Sequence, residues 1–183
     1  MNMNMMNNMN MMNIMNNAIM NKAITRLKQE LYLCSNDLDL KGLGCIFQVE
    51  NNNYYAWRVT LNGPKDTPYE GGIFTIRIQF PLNYPSAGPE FKFLNKVYHL
   101  NVDFTNFTNP NDLGHIDIYF LNEWKTTGKV ACKPCYGVKQ ALFDIFCLFY
   151  NQGIECAYNE QMAREYRDDI NKFNSKARMC TQK

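Results

Sequence analysis

Gly63-Pro64-Lys65-Asp66-Thr67-Pro68-Tyr69-Glu70-Gly71-Gly72, followed by Phe80-Pro81-Leu82-Asn83-Tyr84-Pro85, decides how the chain is read. Proline fixes φ and glycine accepts φ > 0, so the first stretch is a long connection rather than a helix or a strand. Runs rich in aromatic and β-branched residues lie on both sides of it, Tyr54 to Leu61 before and Ile73 to Phe80 after. Two more runs, Cys45 to Glu50 and Glu90 to Leu94, flank these, and Asn51-Asn52-Asn53 supplies the first turn. Four extended runs with no helix between them predict an antiparallel meander.

The period changes on either side of the meander. Upstream, Ala23, Ile24, Leu27, Leu31 and Tyr32 repeat at helical spacing, with Lys22, Arg26, Lys28 and Glu30 on the other side, which predicts an amphipathic first helix starting near Asn21. Past Trp124, Val138, Ala141, Leu142, Ile145, Phe146 and Phe149 form one helical stripe, and Met162, Ala163, Tyr166, Ile170, Phe173 and Ala177 form another. The order predicts an α+β domain, with one sheet face covered by the helix that starts near Val138.

Residues 1–20 read differently. The first 21 residues hold nine Met and nine Asn, with no charge pattern and no hydrophobic period. Such composition is expected to form a disordered tail, leaving 21–183 as one domain.

A chain of 183 residues can bury about 70% of the surface its unfolded form exposes. With 46% hydrophobic and 20% charged residues it belongs to the soluble, folded class. The 19 basic and 17 acidic residues are mixed along the chain, so no basic run implies a nucleic-acid partner. No window approaches the roughly 20 apolar residues of a membrane span. Seven cysteines, an odd number without even spacing and with no secretory leader before them, are expected to be reduced thiols in the cytoplasm or the nucleus. No cofactor is implied. His99 has no paired ligand at metal-binding spacing, so no metal site is expected there.

The two opening stretches, with Tyr98-His99-Leu100-Asn101-Val102 and the order of elements around them, closely resemble the ubiquitin-conjugating enzymes over roughly Asn21 to Met179. The resemblance implies an N-terminal helix, a four-stranded antiparallel sheet, a central helix against it and two C-terminal helices. It also implies a cis peptide at Tyr84-Pro85, which an X-Pro bond permits at small cost. The chemistry it implies is transthiolation, in which a cysteine thiolate carries the C-terminus of ubiquitin as a thioester that a lysine then attacks.

The family places that cysteine in Gly-x-Ile-Cys shortly before a Trp. The matching segment here is Gly114-His115-Ile116-Asp117, followed by Trp124. A carboxylate at Asp117 could form only a mixed anhydride, which water would hydrolyse, so the resemblance implies a family member without the nucleophile. His-Pro-Asn in the family stands here as His99-Leu100-Asn101. In relatives the Asn amide stabilises an oxyanion and holds the active-site loop. Asn101 is expected to keep the loop-holding role, and His99 to organise the same loop.

Further departures surround this vestigial site. Asp103 to Leu113 and Lys125 to Lys133 look longer than the family usually has, and long loops often carry binding. Where relatives place an aromatic after Tyr-Pro and a Ser-Pro-Ala after the Trp to dock ligases, this chain has Ser86 and Pro134-Cys135. Lys22, Arg26, Ser86 and Pro134 are therefore the candidate partner-contact positions. Cys132-Lys133-Pro134-Cys135 has the spacing of a redox pair or half a zinc site but lacks the context of either. Cys147 is expected in or near the core, while Cys156, in a connection near the site, is the candidate for a displaced nucleophile.

Two kinds of inactive relative come into view. One pairs with an active conjugating enzyme and holds an acceptor ubiquitin, but generally lacks the last helices. The other resembles the fused toes adaptor of vesicle transport, through the Asp before a Trp, the long loop after it, and Phe149-Tyr150, Asn159, Tyr166, Asp169-Ile170, Phe173 and Ser175-Lys176. The first would need an active conjugating enzyme and ubiquitin as partners, the second a coiled-coil trafficking protein. The rival expectation is an active conjugating enzyme that uses a displaced cysteine.

Overall fold

The computed structural model describes residues 3–103, 114–116, 118–127 and 136–182. Helix α1 (Met3–Asn36) begins far earlier than Asn21. The stretch expected to be a tail contains no Gly or Pro to stop a helix, and Met is a good helix former, though Asn is a poor one. Burial starts later than the helix: every residue from Met11 to Lys22 is exposed, and from Met11 onward Ala23 is the first buried one.

The buried line of α1 is Ala23, Leu27, Glu30 and Cys34, at i, i+4, i+7 and i+11. Two sequence expectations change here. Tyr32 points outward, 70% exposed, whereas Glu30 is buried because its Oε1 accepts from Arg26 Nε at 2.8 Å and from the Tyr84 hydroxyl at 2.7 Å. A short α2 (Leu38–Gly42) follows, capped by the Asp37 carboxylate, which accepts from the Leu40 N–H.

The meander is present as β1 (Phe47–Glu50), β2 (Asn53–Asn62), β3 (Ile73–Gln79) and β4 (Glu90–Phe93), each antiparallel to the next. Its register aligns Phe47, Val59, Ile76 and Phe93 across the four strands, so one face carries Trp57, Val59, Leu61, Phe74, Ile76, Ile78, Phe91 and Phe93 into the core. The connection from β2 to β3 closes on itself: Gly63 N–H donates to the Gly72 carbonyl at 2.8 Å, and Asp66 takes a φ of 60°. A Cβ at Gly63 would lie 1.7 Å from the Tyr69 carbonyl oxygen, so only glycine fits there.

Two short strands extend the sheet beyond the expected four. β5 (Val102–Asp103) and β6 (His115–Ile116) give the order β1-β2-β3-β4-β6-β5. Helix α3 (Tyr119–Thr127) follows β6, and its last turn takes in the first residues of the expected Lys125 to Lys133 loop. Helix α4 (Val138–Leu148) buries Val138, Ala141, Leu142 and Ile145. Phe149, just after it, packs on the sheet with ring centroids 4.9 Å from Phe74 and 5.9 Å from Phe93. The stripe through Met162 and Ala177 is two helices, α5 (Glu160–Asp168) and α6 (Ile170–Thr181). They part at Asp169, whose carboxylate accepts from the Lys172 N–H and caps α6. The Tyr84-Pro85 peptide is cis.

Candidate functional site

The site is built where the chain leaves β4, turns through His99-Leu100-Asn101, and meets the segment that follows α4. His99 is almost completely buried, between the rings of Tyr69 and Phe149. The Asn101 N–H donates to its Nδ1 at 3.0 Å, so Nδ1 is unprotonated, and Nε2 carries the hydrogen that goes to the Leu148 carbonyl at 2.9 Å. Burial pushes the imidazole pKa down to about 4, with the Leu148 bond opposing it weakly. At neutral pH this ring is a neutral spacer between two backbone segments and not a proton shuttle.

Asn101 is equally buried and equally occupied. Its Nδ2 donates to the Gly153 carbonyl at 2.8 Å and the Cys156 carbonyl at 3.1 Å, and its Oδ1 accepts from the Gly153 N–H at 2.8 Å. Both amide hydrogens are therefore committed to the 3-10 turn Ile154–Cys156 and the residue before it. None remains to stabilise an oxyanion.

Leu100, where the family has Pro, contributes what a proline could not. Its N–H donates to Gln152 Oε1 at 3.0 Å. Gln152 Nε2 in turn donates to the Tyr69 hydroxyl at 3.0 Å, and that hydroxyl donates to the Tyr98 carbonyl at 2.8 Å. One side chain thus ties the altered turn to the preserved β2–β3 connection. Gln152, Gly153 and Glu30 are site-building residues that sequence reasoning missed.

The strand that leads to the nucleophile position is firmly registered. Gly114 has a φ of 70°, its N–H donates to the Asp103 carbonyl, and its carbonyl accepts from the Phe93 N–H, each at 2.8 Å. A Cβ there would lie 2.1 Å from the Phe93 carbonyl oxygen, which leaves glycine as the one residue that fits. Ile116 is buried, and the Ile118 carbonyl accepts from the N–H groups of Leu121 and Asn122 at the start of α3. Asp117 itself lies outside the described residues, as do Pro134, the Cys132–Cys135 pair and most of both inserted loops. Trp124 is buried, 5.0 Å from the Tyr136 ring and 6.2 Å from that of Tyr84.

Among the proposed contact positions, the structure brings Arg26 and the turn carrying Ser86 together. Arg26 is held on Glu30, which also receives the Tyr84 hydroxyl two residues before Ser86. Ser86 is exposed, and Lys22 is exposed one turn before Arg26 on α1. Cys147 is exposed, not in or near the core as expected, because the buried face of α4 runs through Ala141, Leu142 and Ile145 to Phe149 and leaves position 147 on the other side. Cys156 is also exposed, whereas burial pushes the thiols of Cys34 and Cys45 up to about 12 and makes them poor nucleophiles. Among the described residues, no group of three His, Cys, Asp or Glu side chains is placed to hold a metal ion, and no helix is long and apolar enough to cross a membrane.

Comparison with known proteins agrees with this architecture. The family model for ubiquitin-conjugating enzymes matches residues 26–181. Among solved structures, a Plasmodium yoelii protein assigned as a ubiquitin conjugating enzyme is 26% identical, covers 88% of this chain and 94% of its own, and superposes with a TM-score of 0.72. The E2 domain of a Toxoplasma gondii ubiquitin conjugating enzyme is 27% identical, covers 86% of this chain and 95% of its own, with a TM-score of 0.67. The matching sheet, flanking helices and turn motifs lead to one conclusion: this chain belongs to the ubiquitin-conjugating enzyme family.

Proposed function

We propose that the chain is a non-catalytic member of its family that works by binding protein partners, as an adaptor in the ubiquitin pathway or in vesicle trafficking in the cytoplasm. The observation that carries this reading is Asp117 at the nucleophile position of Gly114-His115-Ile116-Asp117. A carboxylate cannot hold a thioester. The full commitment of the Asn101 amide to the 153–156 segment supports the same reading, since it ties the other catalytic group of the family to a structural task. Of the two inactive branches, the presence of both α5 and α6 favours the adaptor over the partner of an active conjugating enzyme.

The deciding experiment is a charging assay with activating enzyme, ubiquitin and ATP, read on a non-reducing gel. No reductant-sensitive adduct is expected. An adduct that persists in the wild type would overturn the reading. An adduct lost on replacing Cys156 would establish the second reading, a displaced nucleophile, which rests on the exposure of Cys156 and its position against Asn101. Affinity purification from the source cell then separates the branches: a coiled-coil trafficking protein is expected, and an active conjugating enzyme would favour the other.

A further inference from the structure

The face of the sheet that turns away from the core carries a row of cations. The register sets Gln48, Arg58, Arg77, Lys92 and His115 directly opposite one another across β1, β2, β3, β4 and β6, with Asp103 of β5 at the end. Neighbouring strands lie about 4.8 Å apart, so Arg58, Arg77 and Lys92 stand within about 10 Å of one another. Like charges directly opposite each other destabilise a sheet, and the acids beside this row offset only part of it. Glu50 is shared by Arg58 and, at 3.2 Å, by Arg77. Glu90 is shared by Lys125 of α3 at 2.9 Å and by Lys92 and His115, each at 3.7 Å. Two carboxylates thus serve four permanent cations. The Glu50 carboxylate is also the deeper group, 14% exposed against 54% for Arg58 and 38% for Arg77, so the positive charge lies outermost.

An apolar strip runs beside the row. Two residues further along the strands the same face presents Ile46, Thr60, Thr75 and Leu94, tied together where the Thr60 N–H donates to the Ile46 carbonyl and the Leu94 N–H to the Thr75 carbonyl. Ile73, opposite Asn62, adds to it. Ile46 and Ile73 are 70% and 64% exposed, and Leu94 is 37% exposed, so these side chains stand out from the sheet and do not line a groove. We propose that this face docks on an anionic lipid surface, with the cation row against the headgroups and the isoleucines entering the acyl boundary. Charge complementarity selects the occupant: anionic leaflets attract Lys and Arg held near their surface, and stable docking takes a second, apolar signal, which the strip supplies. A plane of headgroups also needs no matching register to meet a straight row. An acidic protein segment would answer the cations but would give the outward isoleucines nothing apolar to enter. The contact is peripheral, since no helix among the described residues is long and apolar enough to cross a membrane.

The test is flotation of the full chain with vesicles of phosphatidylcholine containing about a quarter phosphatidylserine, beside vesicles of phosphatidylcholine alone. The wild type is expected to float with the anionic vesicles at low salt, to be released as salt rises, and to stay behind with the neutral ones. R58Q/K92Q removes one cation from each shared carboxylate and leaves Glu50 with Arg77 and Glu90 with Lys125, so the fold is kept. It is expected to bind at least about tenfold more weakly. I46S/I73S is expected to lose a similar factor with its cations intact. Q48K extends the row by one exposed position and is expected to bind about fivefold more tightly, a gain that damage to the fold would not produce. No flotation at low salt, equal flotation with neutral vesicles, or R58Q/K92Q and Q48K binding like the wild type would overturn the proposal. Capture of a synthetic helix rich in Glu and Leu, in place of vesicles, would overturn it in favour of a protein ligand. The charging assay reads the nucleophile and the vesicles read this face, so either result stands whatever the other gives.

Discussion

The β2–β3 connection and the His99-Leu100-Asn101 turn lie against each other, and they have fared differently. The first is the stretch from Gly63 to Gly72 that carries the family resemblance, closed by its own backbone bond and filled by Tyr69. The second has Leu100 where the resemblance leads one to expect proline, and Asp117 where it leads one to expect the nucleophile. Yet the second is the more closed, since Lys65, Asp66, Glu70 and Gly71 of the first are exposed. His99, Leu100 and Asn101 are each at most 1% exposed, and each is bonded either to the last residue of α4 or to the segment just after it. A turn that supports chemistry and a turn that supports a fold can thus carry nearly the same residues. What separates them is whether the polar atoms point at a substrate or at the chain itself.

That contrast can be broken or sharpened by measurement. Tyr69→Ala removes a fully buried ring from between Phe74, His99 and Phe149, and should cost about 4 kcal/mol in chemical denaturation, the largest effect expected at either turn. Next comes His99. Its folded pKa of about 4 lies below the ordinary value of 6.5, so the unfolded chain takes up the proton first. Its contribution is full above pH 6.5, is lost as pH falls from about 6.5 to 4, and should amount to on the order of 3 kcal/mol at about 1.4 kcal/mol per unit. Unfolding measured across that window should show the slope, and H99Q should flatten it.

Asn101→Ala removes three hydrogen bonds to the 153–156 segment and should lower stability by about 2 kcal/mol. Should that variant keep its stability and instead lose a ubiquitin-transfer activity, the turn would be a working site and the contrast would collapse. Gln152→Ala leaves the Leu100 N–H without its acceptor and should cost about 1 kcal/mol. In an L100P background, where there is no N–H to orphan, the same change should cost less, and a double-mutant cycle measures the difference. Lys22→Ala and Ser86→Ala, both exposed, should shift stability by no more than about 0.5 kcal/mol and register only in partner capture.

Much of the scaffold could be read from the chain because its signals are local. In β3 burial alternates residue by residue, so the period of a strand is written in Ile73 to Gln79. The helix near Val138 starts at Val138, and the prolines and glycines of the long connection mark its turn. What escaped has a physical reason in each case. β5 and β6 are two residues each, too short to carry any period. The resemblance implied two C-terminal helices, but the residue pattern itself marked the break between α5 and α6 only through the capping ability of Asp169, which a continuous apolar stripe masked. At the candidate site, the residue types at 99 and 101 were legible, but their partners were not. Leu148, Gln152, Gly153 and Cys156 lie some fifty positions downstream, and no spacing rule links them. Glu30 was placed on the polar side because its buried neighbour Tyr84 is 54 residues away.

The Gln152 bridge bears on reversibility. Consider a path of single substitutions that would place a proline at position 100. Changing Leu100 first strips Gln152 of the donor it accepts from, and changing Gln152 first strands a buried N–H and loosens the Tyr69 hydroxyl. Either opening move goes downhill in stability before anything is regained. The bridge therefore works as a ratchet: it keeps the turn ordered with Leu at position 100, and it places a barrier in front of a proline there that has nothing to do with position 117.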